Sequence, residues 1–228
     1  MPKEQRSPEE IEVVRQEIME HALIIIVSDG FDGLSMRKLA SRLNIAAKTI
    51  YNYFHNKDEI YLYLLTRGFN DLLKSFQKSV KEEMGPFDQF RATVQAYIDF
   101  GLDQSNIYNL MFTWHVPKYN DYVGSPMEAV AAEELATALK CADFFYAMLA
   151  ACAGEGFNLQ QKEIRRLFVP IWSQMHGFVA GINNNLLDYL DEKPLTLKNR
   201  VIDQIVATTQ QEVATLIKRK KLKVVDRA

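Results

Sequence analysis

Cysteine is scarce in this chain, with two among 228 residues, Cys141 and Cys152. Both lie in one stretch of helical periodicity. At about 1.5 Å of rise per residue they stand about 16 Å apart, which excludes a bridge between them. The four histidines, His21, His55, His115 and His176, fall on separate predicted helices, with no H-E-x-x-H and no C-x-x-C. No metal-ligand spacing is present, and none is expected. Glycine (10) and proline (7) are sparse. Gly154-Glu155-Gly156 follows a helical stretch, not a strand, so it is no dinucleotide loop, and no cofactor is expected. Asp58-Glu59 and Glu133-Glu134 read as helix-surface charge, and an enzyme is not the expected reading. Strand alternation, repeats and low-complexity segments are absent as well. The apolar run from Ala22 to Val27 is too short to span a bilayer, and the first dozen residues are polar and charged. These features predict a cytoplasmic protein without a membrane partner. Charge of either sign is nearly balanced, 27 basic against 29 acidic residues for a net −2. Bulk polyanion binding is thereby disfavoured, but a local basic patch is not.

Such a patch is present. Ser35 to Lys57 (SMRKLASRLNIAAKTIYNYFHNK) carries Arg37, Lys38, Arg42, Lys48 and Lys57 with no acidic residue among them. Its apolar positions form two short helical sets: Met36, Leu39, Ala40 and Leu43, then Ile50, Tyr51 and Phe54. Between them stands Asn44, one of the few residues besides Gly that tolerates the left-handed conformation of a tight turn. Two helices so joined make a helix-turn-helix, whose second helix enters the DNA major groove. Thr49, Tyr51 and Tyr53 bring hydroxyls that reach phosphates, and Asn52 carries the amide that pairs with adenine. Tyr51 has two readings, an exposed ring or a buried ring with only its hydroxyl outside. Lys57 either pairs with backbone or is solvated.

The run K-T-I-Y-N-Y-F-H-N-K-D-E-I, with A-L-I-I-I-V-S-D-G-F-D-G-L-S-M-R-K-L-A-S-R-L before it, resembles the TetR family of transcriptional regulators over roughly Ile11 to Leu65. Many members place a Ser where this chain has Ala46, so a helix cap and a phosphate contact are missing here. The resemblance implies DNA contacts by Ser35, Arg37, Ala47, Lys48, Thr49, Tyr51, Asn52, Tyr53 and Lys57. W-S-Q-M-H-G, from Trp172 to Gly177, resembles a Trp-x-x-x-His-Gly stretch of one subgroup. The family also implies a homodimer on a palindromic operator, joined through the last two long helices, and a small-molecule effector. Gly177 and Gly181 share a helix face, for the dimer contact or for packing within the chain.

The predicted architecture is all-α, about nine helices, with a three-helix DNA-binding domain over 1–56 and a larger regulatory and dimerisation domain over 57–228. Ser7-Pro8-Glu9-Glu10 caps the first helix and Asp29-Gly30 ends it. Asn56 to Glu59 forms a second capping box, opening a helix to about Met84. Helices are expected over Phe87–Leu102, Ile107–His115, Met127–Cys152 and Ile164–Leu190, with Pro170 as a kink or a start. A last helix begins near Thr196, and Pro117–Pro126 reads as a loop. Its stripe of Ile205, Val213, Leu216 and Ile217 fits a dimer face or a core. The basic run from Lys218 to Lys223 suits a solvated helix end.

Aromatic and sulfur-bearing residues crowd the middle helices. Tyr97, Phe112, Trp114, Phe145, Met148, Trp172 and Met175 are candidates for an apolar or aromatic effector site, with His115 or His176 as its polar anchor. Each fits a packed core equally. The expected function is an effector-responsive DNA-binding regulator, by default a repressor. The alternative is the same fold controlled by a protein partner or by no ligand.

Overall fold

The computed structural model describes residues 7–154 and 156–225, and among these it is all-α, with ten α-helices and two single-turn 3-10 helices. Glu155, part of the predicted helix stop, and the side chain of Lys223 lie outside the described residues. The helices are α1 (Pro8–Gly33), α2 (Met36–Arg42), α3 (Ala47–Ile50), α4 (Lys57–Ser79), α5 (Pro86–Asp103), α6 (Ser105–Phe112), α7 (Tyr119–Tyr122), α8 (Glu128–Ala151), α9 (Gln161–Asn183) and α10 (Lys198–Val225). The chain divides into two compact units. One comprises the residues up to Phe69 with Leu110–Ala138; the other comprises Asn70–Asn109 with Leu139 onward.

In the first unit, α1 starts with the box its sequence predicts. Ser7 Oγ accepts from the Glu10 amide at 3.2 Å, and Glu10 accepts from the Ser7 amide at 2.8 Å. The helix bends at Gly30 (φ 75°), where the chain takes a conformation costly for other residues, and one more turn follows it. Ser35 caps α2 through the Lys38 amide at 3.2 Å. Asn44 makes the turn at φ 54°. Ile18, Ala22, Ile25 and Ile26 of α1, Leu39 and Ala40 of α2, Ile50, Phe54, and Ile60 and Leu64 of α4 form the core, each 3% exposed or less. Each large apolar chain so buried contributes about 1.5–3 kcal/mol.

Two expectations are corrected in this unit. The stretch Pro117–Pro126 is not all loop. Asp121 accepts from the Lys118 amide at 2.7 Å and nucleates the single turn α7, while Tyr122 is buried with its hydroxyl on Asp58 at 2.9 Å. The box at Asn56 forms only by half. Asn56 accepts from the Glu59 amide at 2.9 Å, but Glu59 accepts from the backbone and ring of His55 instead of closing back on Asn56.

In the second unit α5, α9 and α10 pack on one another, around Phe90, Val94, Ile98, Ile171, Met175, Val179, Ile202, Ile205 and Val213. Ile205 and Val213 are therefore core, and the predicted stripe on α10 is mainly an internal one. Phe76, Phe90, Phe144, Phe145 and Phe168 form an aromatic cluster. Two further helix ends differ from expectation. α4 stops at Ser79, whose hydroxyl donates back to the Phe76 carbonyl at 2.8 Å, and Gln89 takes the Lys81 carbonyl, so the helix does not reach Met84. α9 passes through Pro170, so no helix starts there, and it ends at Asn183 rather than Leu190. Asn185 turns left-handed (φ 55°), and the Leu186 amide reaches the Gly181 carbonyl at 2.8 Å. The Leu187 side chain then lies over Gly181, where a Cβ would come within 2.8 Å of it. Gly181 thus serves packing within the chain, whereas Gly177 has nothing within 4 Å of a built Cβ.

Candidate nucleic-acid interface

The helix-turn-helix presents its basic side chains outward from a buried anchor. Ile50 and Phe54 are 0% and 1% exposed and face the core, which leaves Lys48, Tyr51 and Asn52 on the solvent side and Thr49 half-buried between. Tyr51 is 54% exposed, so the buried-ring reading is corrected: its position next to Ile50 turns it off the core face. Ala47 and Tyr53 are half-buried, and Ser35 and Arg37 are exposed. The Ser35 oxygen already accepts its capping bond but keeps a hydroxyl proton to donate to an anion.

The helix itself is short. No side chain caps it at Ala46, as the missing Ser predicts. After Ile50 it continues as tight turns, with Asn52 donating to Thr49 and Tyr53 to Ile50 at 3.2 and 2.9 Å. Its far end is held by a residue that sequence reasoning passed over. Arg15 of α1 donates to the Tyr53 carbonyl at 2.5 Å, and its guanidinium lies 4.2 Å from the Phe54 ring centre and 4.5 Å from that of Tyr63. The available signal was a cation on the apolar face of α1, four residues from Ile11 and three from Ile18.

The cations of the patch differ in what they can do. Arg37, Arg42 and Lys48 are exposed. Lys38 pairs with Asp29 at 2.9 Å, and hydrogen bonds from Ser28 and then Lys38 hold that carboxyl below its ordinary value. Lys57 is turned into its own fold: its ammonium lies 3.3 Å from the Phe31 carbonyl, 4.3 Å above the Phe31 ring and 4.0 Å from Asp32.

The candidate effector residues do not all meet. In the second unit Tyr97 and Tyr108 hydroxyls bond at 3.0 Å, Tyr108 bonds His176 Nδ1 at 2.8 Å, and Trp172 stacks on His176 at 4.8 Å and hydrogen-bonds Tyr97. Burial raises both tyrosine pKa values and lowers that of His176, so the network is neutral. Tyr108 is its hub and was not foreseen; a Tyr on a predicted buried helix needs a partner for its hydroxyl, and that was the usable signal. Gly101 makes room for it, since a Cβ there would sit 2.9 Å from the Tyr108 ring. Phe145 joins the aromatic cluster, Met175 is fully buried and Met148 half-buried. Phe112, Trp114 and His115 belong to the first unit, where Phe112 meets Phe69 edge-on at 5.6 Å, Trp114 is half-buried and His115 is exposed.

A family model described as bacterial regulatory proteins, tetR family, matches residues 18–64, the helix-turn-helix and its supports. A second, described as the tetracyclin repressor-like C-terminal domain, matches residues 90–205, just over half of the chain. The chain belongs to the TetR family. Among curated relatives, the HTH-type transcriptional activator FasR of Mycolicibacterium smegmatis is 26% identical over 140 residues, 61% of this chain and 60% of that protein. The matched stretch thus spans less than two thirds of that relative. Among solved structures, a protein of unknown function from Rhodococcus sp. RHA1 has a TM-score of 0.65 at 20% identity, over 92% of this chain and 97% of that one. The fatty acid degradation regulator FadR of Bacillus halodurans also gives 0.65, at 13% identity, over 89% and 97%. At those identities the likeness is one of fold, and it is the TetR fold from α1 to α10. No helix among the described residues is long and apolar enough to cross a membrane, and no group of metal-ligating side chains is found among them.

Proposed function

We propose that this TetR-family protein is a cytoplasmic DNA-binding transcriptional regulator, not an enzyme, that reads a palindromic operator as a homodimer. The observation that carries the reading is the exposed row Lys48, Tyr51 and Asn52 with half-buried Thr49 between, backed by buried Ile50 and Phe54 and flanked by Arg37 and Arg42. The row combines phosphate-binding cations and hydroxyls with an amide able to read a base. We assign 1–56 to DNA binding and 57–228 to regulation and dimerisation, in the subgroup marked by Trp172, His176 and Gly177. One helix-turn-helix reads one half-site, and a dimer places two about 34 Å apart. The exposed face of α9, with Val169 60% exposed and Gly177 open, supports the dimer contact.

A small apolar or aromatic effector is proposed to act at the Tyr97–Tyr108–His176–Trp172 network of the second unit. It releases DNA by binding one of two states better, and reversing a 99:1 population needs about 5.5 kcal/mol of such preference. Repression is the default, since occupying a promoter needs no second contact. The tight packing of Tyr97, Met175 and Gly101 favours, as a second reading, control by a protein partner or by none.

Duplexes selected by the protein from a random pool, then titrated by fluorescence anisotropy, test the main reading. A palindromic consensus is expected, with steep salt dependence and at least tenfold weaker binding for Tyr51→Ala or Lys48→Ala. Failure to enrich any sequence sinks it. Thermal stabilisation by small apolar molecules, lost in His176→Ala, separates the ligand-responsive form from the second reading.

A further inference from the structure

The helix that presents Lys48, Thr49, Tyr51 and Asn52 is four residues long and begins without a side-chain cap. A helix this short has no cooperative stability of its own, so its orientation is set by whatever holds its ends. At the N-terminal end stands the Asn44 turn. At the other end the structure supplies Arg15, which comes from α1 and makes three contacts at once. Its Nη1 donates to the Tyr53 carbonyl, one face of its guanidinium meets Phe54, and Tyr63 of α4 lies within cation–π distance as well. Phe54 and Tyr63 meet edge-on at 6.0 Å. The planar guanidinium lies in the corner between the two rings, flat enough to stack on one of them while its N–H donates to the carbonyl. Glu12, mostly exposed at 3.9 Å, balances the charge. The Arg15 side chain is itself only 19% exposed, which leaves little of it for a phosphate.

We propose that Arg15 is a positioning residue for DNA recognition: from behind the helix-turn-helix it fixes the angle at which Tyr51, Asn52 and Tyr53 face the groove. This rests on the DNA-binding reading above. A group that positions base-reading side chains affects the preference for one sequence over others. A group that contacts phosphate affects all sequences alike and changes the salt slope.

The test uses the full-length protein, a duplex it has selected from a random pool, and poly(dI-dC) as the non-specific competitor. Arg15→Lys keeps the charge and loses the planar stack. The expected result is at least tenfold weaker binding to the selected duplex. Affinity for poly(dI-dC) and the slope of log K against log salt should stay at wild-type values. Unchanged binding to the selected duplex overturns the proposal. So does an equal loss on both DNAs, or a slope reduced by about one, since either makes Arg15 a phosphate contact. If Arg15→Lys does not fold, judged by its helical circular dichroism, Tyr63→Leu removes one wall of the clamp and is read by the same criteria. A wild-type protein that selects no sequence at all refutes the DNA-binding reading instead, so the two failures remain distinct.

Discussion

Lys57 shows how far one side chain's role depends on its neighbours. Its place in a basic run makes it a DNA contact by family resemblance, yet its ammonium lies on the Phe31 ring and carbonyl. Lys57→Ala should therefore cost stability, on the order of 1 kcal/mol and a fall of about 2–4 °C in Tm, while weakening DNA binding less than Lys48→Ala does. Thermal melts beside anisotropy titrations check both halves. Glu134, expected as helix-surface charge, makes a second case, because it is buried. Burial raises its pKa from 4.5 to about 7, with Lys118 acting the other way. An acid whose folded pKa is the higher one binds more protons folded than unfolded between those values. Its contribution is then full at low pH and is lost as pH rises from about 4.5 through 7. Glu134→Gln should raise Tm relative to wild type at pH 8 and gain less or nothing at pH 5. An equal shift at both pH values would rule this account out.

At the scale of elements, α3 is the weak one. Its cap position, Ala46, already has the extended backbone that a capping residue needs (φ −71°, ψ 140°). Ala46→Ser should add about 1 kcal/mol, about 2–4 °C in Tm, and tighten binding to every DNA sequence if the hydroxyl also reaches a phosphate. Differential scanning calorimetry and titration against two unrelated duplexes measure these effects separately. The end of α9 is governed by the opposite circumstance, a close approach. Gly181→Ala puts a methyl group 2.8 Å from Leu187 and should destabilise by about 1–3 kcal/mol, measured by urea unfolding. The start of α1 was legible because its cap, Ser7, bonds only three residues on, whereas the cap that Ser35 gives α2 was not read. Helix ends at Ser79 and Asn183 were not legible, because a hydroxyl bonding backward and a Leu folding over a Gly leave no periodic trace.

For the whole molecule, the question is whether two copies pair. The outward face of α9 carries Val169, Ser173 and Gly177, all exposed. Beside it lies a cleft of about 570 Å³ lined by Arg166, Leu167, Thr208, Glu212 and Arg219. Val169→Asp sets a charge on that face without touching the core. It should shift sedimentation from dimer to monomer and weaken binding to a palindromic duplex by more than tenfold, with the monomer's helical content unchanged. A dimer that persists in this variant places the contact elsewhere.

Composition and periodicity alone determined that this chain is helical, that it carries a helix-turn-helix, and where the Ser7 cap and the left-handed Asn44 fall. Those features arise from bonds spanning a handful of residues, so the local order of side chains specifies them. Which cations are free, which aromatic residues line a network and which fill a core were decided by tertiary contacts. Arg15 meets Tyr53 across 38 positions and Tyr108 meets His176 across 68. No local pattern encodes such a meeting; the packing of the helices that carry the two partners creates it.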